Sequence, residues 1–365
     1  MWCYSMLLRM AALSKKLRFL SIYVSMFSLI EALVGRDEFC HVVSHTHKDA
    51  HFPFALTCRA ARKAVSGSFK TSYSSLVHSV ALVEWSILVG CGWDPIVSLC
   101  VEAAKIGNLE VLQWARAHDY PWYSDICLWA AQGGHLEVLL YAHENGCPWN
   151  MHTCWRAANG GHLEVLRYLH ENGCPWDERI CSAAAKKGHL EVLRYAHENG
   201  CPWDVSTSWY AAEGGHLDVL QYAYAHGCPQ GNHICASAAK GGHLSVLRWA
   251  RENGFPWNEQ TCWFAAGGGH LEVLMYAHEN GCPWHEYTSY YAAESGHLEV
   301  IKYAHEHGCP WSSHTCSAAS RGGHLEILKY LHENGCPWDA RTCSNAALRC
   351  HHEILKYARD NGCPE

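Results

Sequence analysis

The sequence predicts an all-α fold, a solenoid of helix–turn–helix pairs, and three observations predict it. Gly-His-Leu recurs with its glycine at Gly134, Gly161, Gly188, Gly215, Gly242, Gly269, Gly296 and Gly323, every step being 27 residues. Gly107-Asn108-Leu109 precedes this series in register and Cys350-His351-His352 follows it, giving ten units. Within a unit the apolar residues fall at helical spacing between a glycine turn and a proline loop. A fixed period of about 20–50 residues is the mark of a solenoid, propeller or array.

One unit, Asn150 to Trp176, carries the argument element by element. Asn150 opens it as a helix N-cap, because its side chain can accept from free backbone N–H groups. Asp177, Asp204, Asn258 and Asp339 repeat that choice. A short first helix follows over Thr153–Ala158, whose Ala157-Ala158 pair admits a close neighbour. Gly160-Gly161 is expected to break it, since glycine tolerates the angles of a tight turn. The second helix runs from His162 to Asn172, with Leu163, Val165, Leu166 and Leu169 on one side. Glu164 and Arg167, three apart, can pair on the wet side. Gly173 ends this helix as a left-handed cap and Pro175 forbids its continuation. Trp176 is expected to fold under the loop. One such pair cannot bury its apolar side alone, so units must stack.

At 365 residues the chain would be large for a single core, but a stack needs only contacts between neighbours. Hydrophobic residues make up 49% and charged residues 17%, an ordinary folded composition. The net charge of -7 argues against sequence-nonspecific nucleic-acid binding, which needs Lys and Arg to displace counterions. There are 21 cysteines, recurring at fixed places in the unit. Equivalent positions of stacked helices lie about 8–10 Å apart, beyond the Cα separation of about 7 Å that a disulfide allows. A reducing compartment, cytoplasm or nucleus, is therefore expected.

Before the units, residues 1–30 lack Asp and Glu and carry Arg9, Lys15, Lys16 and Arg18 ahead of an apolar run from Phe19 to Ile30. The pattern is similar to a targeting segment; a packed or frayed N-terminal helix is the simpler reading. Residues 31–76 are expected to be helical. Residues 77–365 are expected to be the solenoid, its first half-unit starting near Ser79, where Gly90-Cys91-Gly92-Trp93 echoes the loop.

Ala157-Ala158-Asn159-Gly160-Gly161-His162-Leu163-Glu164-Val165-Leu166, closed by Gly173, resembles the ankyrin repeat. The resemblance covers about residues 99–365. It departs from that family in its length, six residues short of the usual 33, and in Thr153-Cys154-Trp155-Arg156, which stands where the family has Thr-Pro-Leu-His. The missing stretch is where the family places its β-hairpin, so hairpins are expected to be short or absent. The resemblance implies a protein-binding module with a concave groove and no enzymatic activity. Within 31–76, Asp37-Glu38-Phe39-Cys40-His41-Val42-Val43, Lys48-Asp49 and Phe54–Lys63 resemble an F-box without its Leu-Pro opening. That would imply docking of residues 37–65 on the linker subunit of a cullin ubiquitin ligase. A helical cap that shields the first unit is the alternative.

The recurring Cys and His, for instance Cys147, Cys154, His162 and His170, raise the question of zinc. The other units answer it. Cys147 gives way to Phe255, Cys154 to Ser208 and Ser289, His162 to Asn108, and His170 to Tyr224 or Arg251. A position that accepts Phe or Ser is a filler or a cap, so no metal and no cofactor are expected. No phosphate loop or nucleophile elbow appears, so no catalytic residue is assigned.

Binding residues are sought where units differ, because packing positions must repeat. One series reads Glu102, Trp129, Arg156, Ala183, Tyr210, Ser237, Phe264, Tyr291, Ala318, Asn345. Three residues on, another reads Lys105, Gln132, Asn159, Lys186, Glu213, Lys240, Gly267, Glu294, Arg321, Leu348. A gap of three places both on one helical face. The loop adds His152, Arg179, Ser206, His233, Gln260, Tyr287, His314 and Arg341. The resemblance puts the first two series in the groove. The candidate partner-binding residues are Trp129, Arg156, Tyr210, Phe264, Tyr291, Lys186, Glu213, Lys240, Glu294 and Arg321, led by the aromatics that dominate interface hot spots. The expected partner is a protein, with no nucleic acid and no membrane, and the chain is expected to be a monomer. Base stacking on single-stranded RNA is the competing class, disfavoured by Glu102, Glu213 and Glu294. His352 and Arg349 in the last unit fit a repeat with one face in water.

Overall fold

A computed structural model describes residues 95–120 and 123–364, together with the isolated positions His78, Val80 and Val83. The chain divides into two units, Met1–Trp93 and Asp94–Glu365, and every helix below belongs to the second. Residues 1–30, the F-box-like segment 37–65 and the Gly90–Trp93 echo lie outside the described residues.

Among the described residues all regular structure is helical. Ten helices open the units: α1 (Pro95–Ile106), α3 (Ser124–Gly133), α5 (Met151–Gly160), α7 (Glu178–Lys187), α9 (Val205–Gly214), α11 (Ile234–Gly241), α13 (Glu259–Gly267), α15 (Glu286–Ser295), α17 (Ser313–Gly322) and α19 (Ala340–Leu348). Each is followed by a second helix: α2 (Leu109–Ala117), α4 (Leu136–Glu144), α6 (Leu163–Glu171), α8 (Leu190–Glu198), α10 (Leu217–Ala225), α12 (Leu244–Glu252), α14 (Leu271–Glu279), α16 (Leu298–Glu306), α18 (Leu325–Glu333) and α20 (His352–Asp360). First helices pack on the first helices of both neighbours, and more extensively than second helices pack on second helices. The small Ala pairs allow it: Ala157, Ala158, Ala184, Ala185, Ala211 and Ala212 are all fully buried.

The caps follow the sequence. The side chains of Asn150, Asp177, Asp204, Asn258 and Asp339 accept from the backbone N–H two residues on. The turn differs in one detail. Gly160 stays helical, and the left-handed residue is Gly161, with φ 78. Gly160 is needed for closeness instead, because a Cβ there would press on the His162 ring and on the Gln132 carbonyl. His162 is not the first turn of α6 but its N-cap residue.

The second helices bury Val165, Leu166 and Leu169 or their equivalents. Trp176 joins units rather than closing one. Its ring stacks on His170 at 3.7 Å and meets Tyr195 of the next unit edge-on at 6.3 Å. His332, Trp338 and Tyr357 repeat the trio further along.

Candidate functional site

The repeated histidine explains why the rest of the turn cannot vary. His162 Nε2 lies 3.0 Å from the carbonyl oxygen of Gln132, thirty residues back in the preceding unit. His135 makes the same bond to Lys105, His189 to Asn159, His216 to Lys186, His243 to Glu213, His270 to Lys240, His297 to Gly267 and His324 to Glu294. The ring also lies against the turn glycine of that unit, where a Cβ on Gly134 would collide with His162. Gly and His therefore specify one joint between them. Burial lowers the pKa of His189 from its ordinary value.

Those eight acceptors are the first eight residues of the ten in the second variable series. The joint takes only the main-chain carbonyl, which every residue type offers alike. The side chain at that position is left free, and this is how a strict stack tolerates Lys, Gln, Asn, Glu and Gly at one place.

A second contact, inside each unit, uses the cysteines. The thiol of Cys154 on α5 donates to the carbonyl oxygen of Cys174 in the following loop at 4.0 Å, and the neighbouring Cys174 side chain together with burial holds Cys154 protonated. Cys174 Sγ in turn donates to Asn150 O at 3.3 Å. Cys127 with Cys147, Cys181 with Cys201, Cys262 with Cys282, and Cys316 with Cys336 pair alike. Where serine replaces the helix cysteine the contact persists, Ser208 Oγ to Cys228 Sγ at 3.6 Å and Ser289 Oγ to Cys309 Sγ at 3.4 Å. Sequence spacing alone had pointed to neighbours 27 apart; the thiols that meet are 20 apart, a loop cysteine and the helix cysteine before it. Among the described residues all cysteines are free thiols, and no group of three His, Cys, Asp or Glu could hold a metal ion.

The ten candidate binding residues all sit on first helices. The structure brings most of them together in pairs across units. Arg156 lies 5.1 Å over the Trp129 ring and donates to Gln132 Oε1 at 2.9 Å. Lys105 covers the same ring at 4.5 Å. Lys186 stands 4.8 Å over Tyr210. Glu213 pairs with Lys240 at 3.0 Å and Glu294 with Arg321 at 2.5 Å. Tyr210, Phe264 and Tyr291 are exposed at 36%, 38% and 39%. Phe264 and Tyr291 belong to a cluster around Trp263, whose ring is 6.2 Å and 6.4 Å from theirs. Tyr287, from the loop series, joins it at 5.3 Å and is 43% exposed. Ala183 and Ala318, in the same series as the aromatics, are buried.

Neither a protein-family model nor a curated protein matches the chain. Among solved structures, the chain is similar to the human ASB11 ankyrin repeat domain, with 19% sequence identity over 43% of this chain and 84% of that one, and a TM-score of 0.36. The assignment as a stack of helix pairs rests on the helices themselves. Among the described residues no helix is long and apolar enough to cross a membrane.

The series expected in the loop lies instead at the starts of the first helices, His314 in α17 and Arg341 in α19, and supplies further contacts between neighbours. Arg341 reaches back to His314 at 2.6 Å and binds Asp339, pulling its carboxyl down to about 2. Their variability in the sequence does not reveal that they touch.

Proposed function

We propose that residues 95–364 form an ankyrin-type protein-binding module with no chemistry of its own, and that its partner docks on the first-helix face. One observation supports this reading above the others. The inter-unit joint uses backbone carbonyls and leaves the side chains of the variable positions outward, on the face that also exposes Tyr210, Phe264 and Tyr291. Large aromatics left more than a third exposed are what interface cores are made from. Glu213 and Glu294 on this face favour a protein over a polyphosphate.

The test is capture of partners by the full chain and by a Tyr210→Ala, Phe264→Ala, Tyr291→Ala variant, with helical circular dichroism as the control for folding. The variant is expected to lose the specific partner, which is then reconstituted from purified components. Equal recovery by both proteins sinks the reading.

A finer proposal rests on the F-box resemblance alone. The module would present a target to a cullin ligase, with residues 37–65 holding the linker subunit. Absence of that subunit from the purified full-length complex would reduce the protein to a scaffold.

A further inference from the structure

A register rule runs along the first-helix face. A residue of the second variable series leans forward onto the residue 24 positions later, which belongs to the first series of the next unit. Lys105 covers Trp129, Gln132 accepts from Arg156, and Lys186 covers Tyr210. The chain thus provides its own cation for the aromatic rings at this end of the face. Ring faces are electron-rich and attract ammonium and guanidinium groups.

Of the four aromatic rings in the first series, the neighbouring Phe264 and Tyr291 lack this cover, for two separate reasons. Lys240 is in register to cover Phe264 but is drawn back to Glu213 at 3.0 Å. Gly267 is in register to cover Tyr291 and has no side chain. A Cβ at Gly267 would press on the Cβ of Tyr291 at 3.2 Å, which must give by a few tenths of an ångström, and would meet only the Tyr291 side chain within 4 Å. Gly267 does not adopt positive φ. Its carbonyl still accepts from His297 at 3.2 Å, so the joint does not demand a glycine here either. Among the described residues no lysine or arginine stands over Phe264, Tyr287 or Tyr291, although all three are exposed. Glu259 and Glu286 stand in the first turns of α13 and α15, the helices that carry these rings.

We infer that the Phe264–Tyr287–Tyr291 patch receives a basic side chain of the partner, an arginine or lysine that takes the place vacated at Gly267. This rests on the first-helix face being the binding surface. The occupant is a protein segment with an exposed basic residue, because the chain itself puts a lysine in that place over Trp129 and over Tyr210. Arginine fits best, since its planar guanidinium stacks on a ring and still donates at its edge.

The test uses the full chain and the capped peptide acetyl-Gly-Arg-Gly-amide, with a peptide bearing Gln for Arg as control. Proton NMR follows the arginine side-chain resonances as protein is added. The wild-type protein is expected to move the δ-methylene signal upfield by ring current, and the Gln peptide is expected not to respond. Gly267→Lys restores the chain's own cation, a residue type already tolerated at Lys186 and Lys240, and is expected to cut the shift at least about fivefold, a loss of about 1 kcal/mol of binding by the tenfold-per-1.4 relation. Tyr291→Ala, at an exposed position, is expected to do the same and guards against misfolding of the lysine variant. No shift with wild type, or an equal shift with both variants, overturns the inference. Partner capture separates this failure from that of the face itself. If the Tyr210→Ala, Phe264→Ala, Tyr291→Ala variant loses the partner while Gly267→Lys keeps it, the face stands and the basic side chain does not enter here. If the triple variant loses nothing, the face fails first.

Discussion

The imidazole of His162 reaches back to the carbonyl oxygen of Gln132, 3.0 Å away, and rests on the Cα of Gly134, so that one side chain ties two units at two points. Removing either half has a defined cost. His162→Ala loses one net hydrogen bond, about 1 kcal/mol. Gly134→Ala adds a left-handed backbone penalty of about 1–2 kcal/mol and displaces the ring as well. The order Gly134→Ala worse than His162→Ala is expected in urea midpoints. The reverse order would show that the ring, not the turn, carries the joint.

Acid is expected to loosen the stack. Burial lowers the pKa values of His189, His197 and His278, for the last two with a neighbouring histidine adding to it. The unfolded chain then takes up protons more readily than the folded one. Their contribution to stability is complete above the ordinary histidine pKa of about 6.5 and is lost as pH falls through the lowered folded values. Melting temperature should drop from about pH 7.5 to about pH 5, before the carboxylates titrate. A flat profile over that range would count against buried, neutral imidazoles.

Cys350 takes the left-handed conformation, φ 59, where the interior units place glycine. A side chain there is strained, and Cys350→Gly is expected to stabilise the protein by about 0.5–1 kcal/mol after the extra unfolded-state entropy of glycine is deducted. Thermal melting of the two proteins measures it.

Cys154→Ser should be nearly silent, with a cost of about 0.5 kcal/mol or less, because Ser208 and Ser289 already hold that position against a loop thiol. Cys154→Ala removes the donor to the Cys174 carbonyl and leaves a small void, and should cost about 1 kcal/mol or more. Denaturant titration of both variants separates a polar role from a filling role. Equal losses would show that volume alone matters.

The helices were legible in the sequence because their signals are local. A cap such as Asn150, a turn glycine such as Gly161 and an apolar stripe such as Val165–Leu166–Leu169 all act within a few residues. The contacts were not legible, because they form at separations the period does not announce. His162 meets Gln132 of the preceding unit thirty residues away, and Cys154 meets Cys174 of its own unit at twenty, while the period is 27. Invariance of His marked it as framework but could not say what it held. The variable face was legible as a list of positions. Its pairings were not, since whether Lys240 leans forward to Phe264 or back to Glu213 depends on competing charges in space.

The joint between units asks nothing of the residue whose carbonyl it borrows. The carbonyl joint can therefore form whichever unit follows, and a duplication or deletion of whole units leaves that joint intact. Such a gene can lengthen, shorten or shuffle by recombination between its own near-identical segments, and each rearrangement changes the order of side chains offered on the face without a new folding problem. The chain is built so that recognition can evolve by splicing rather than by repair.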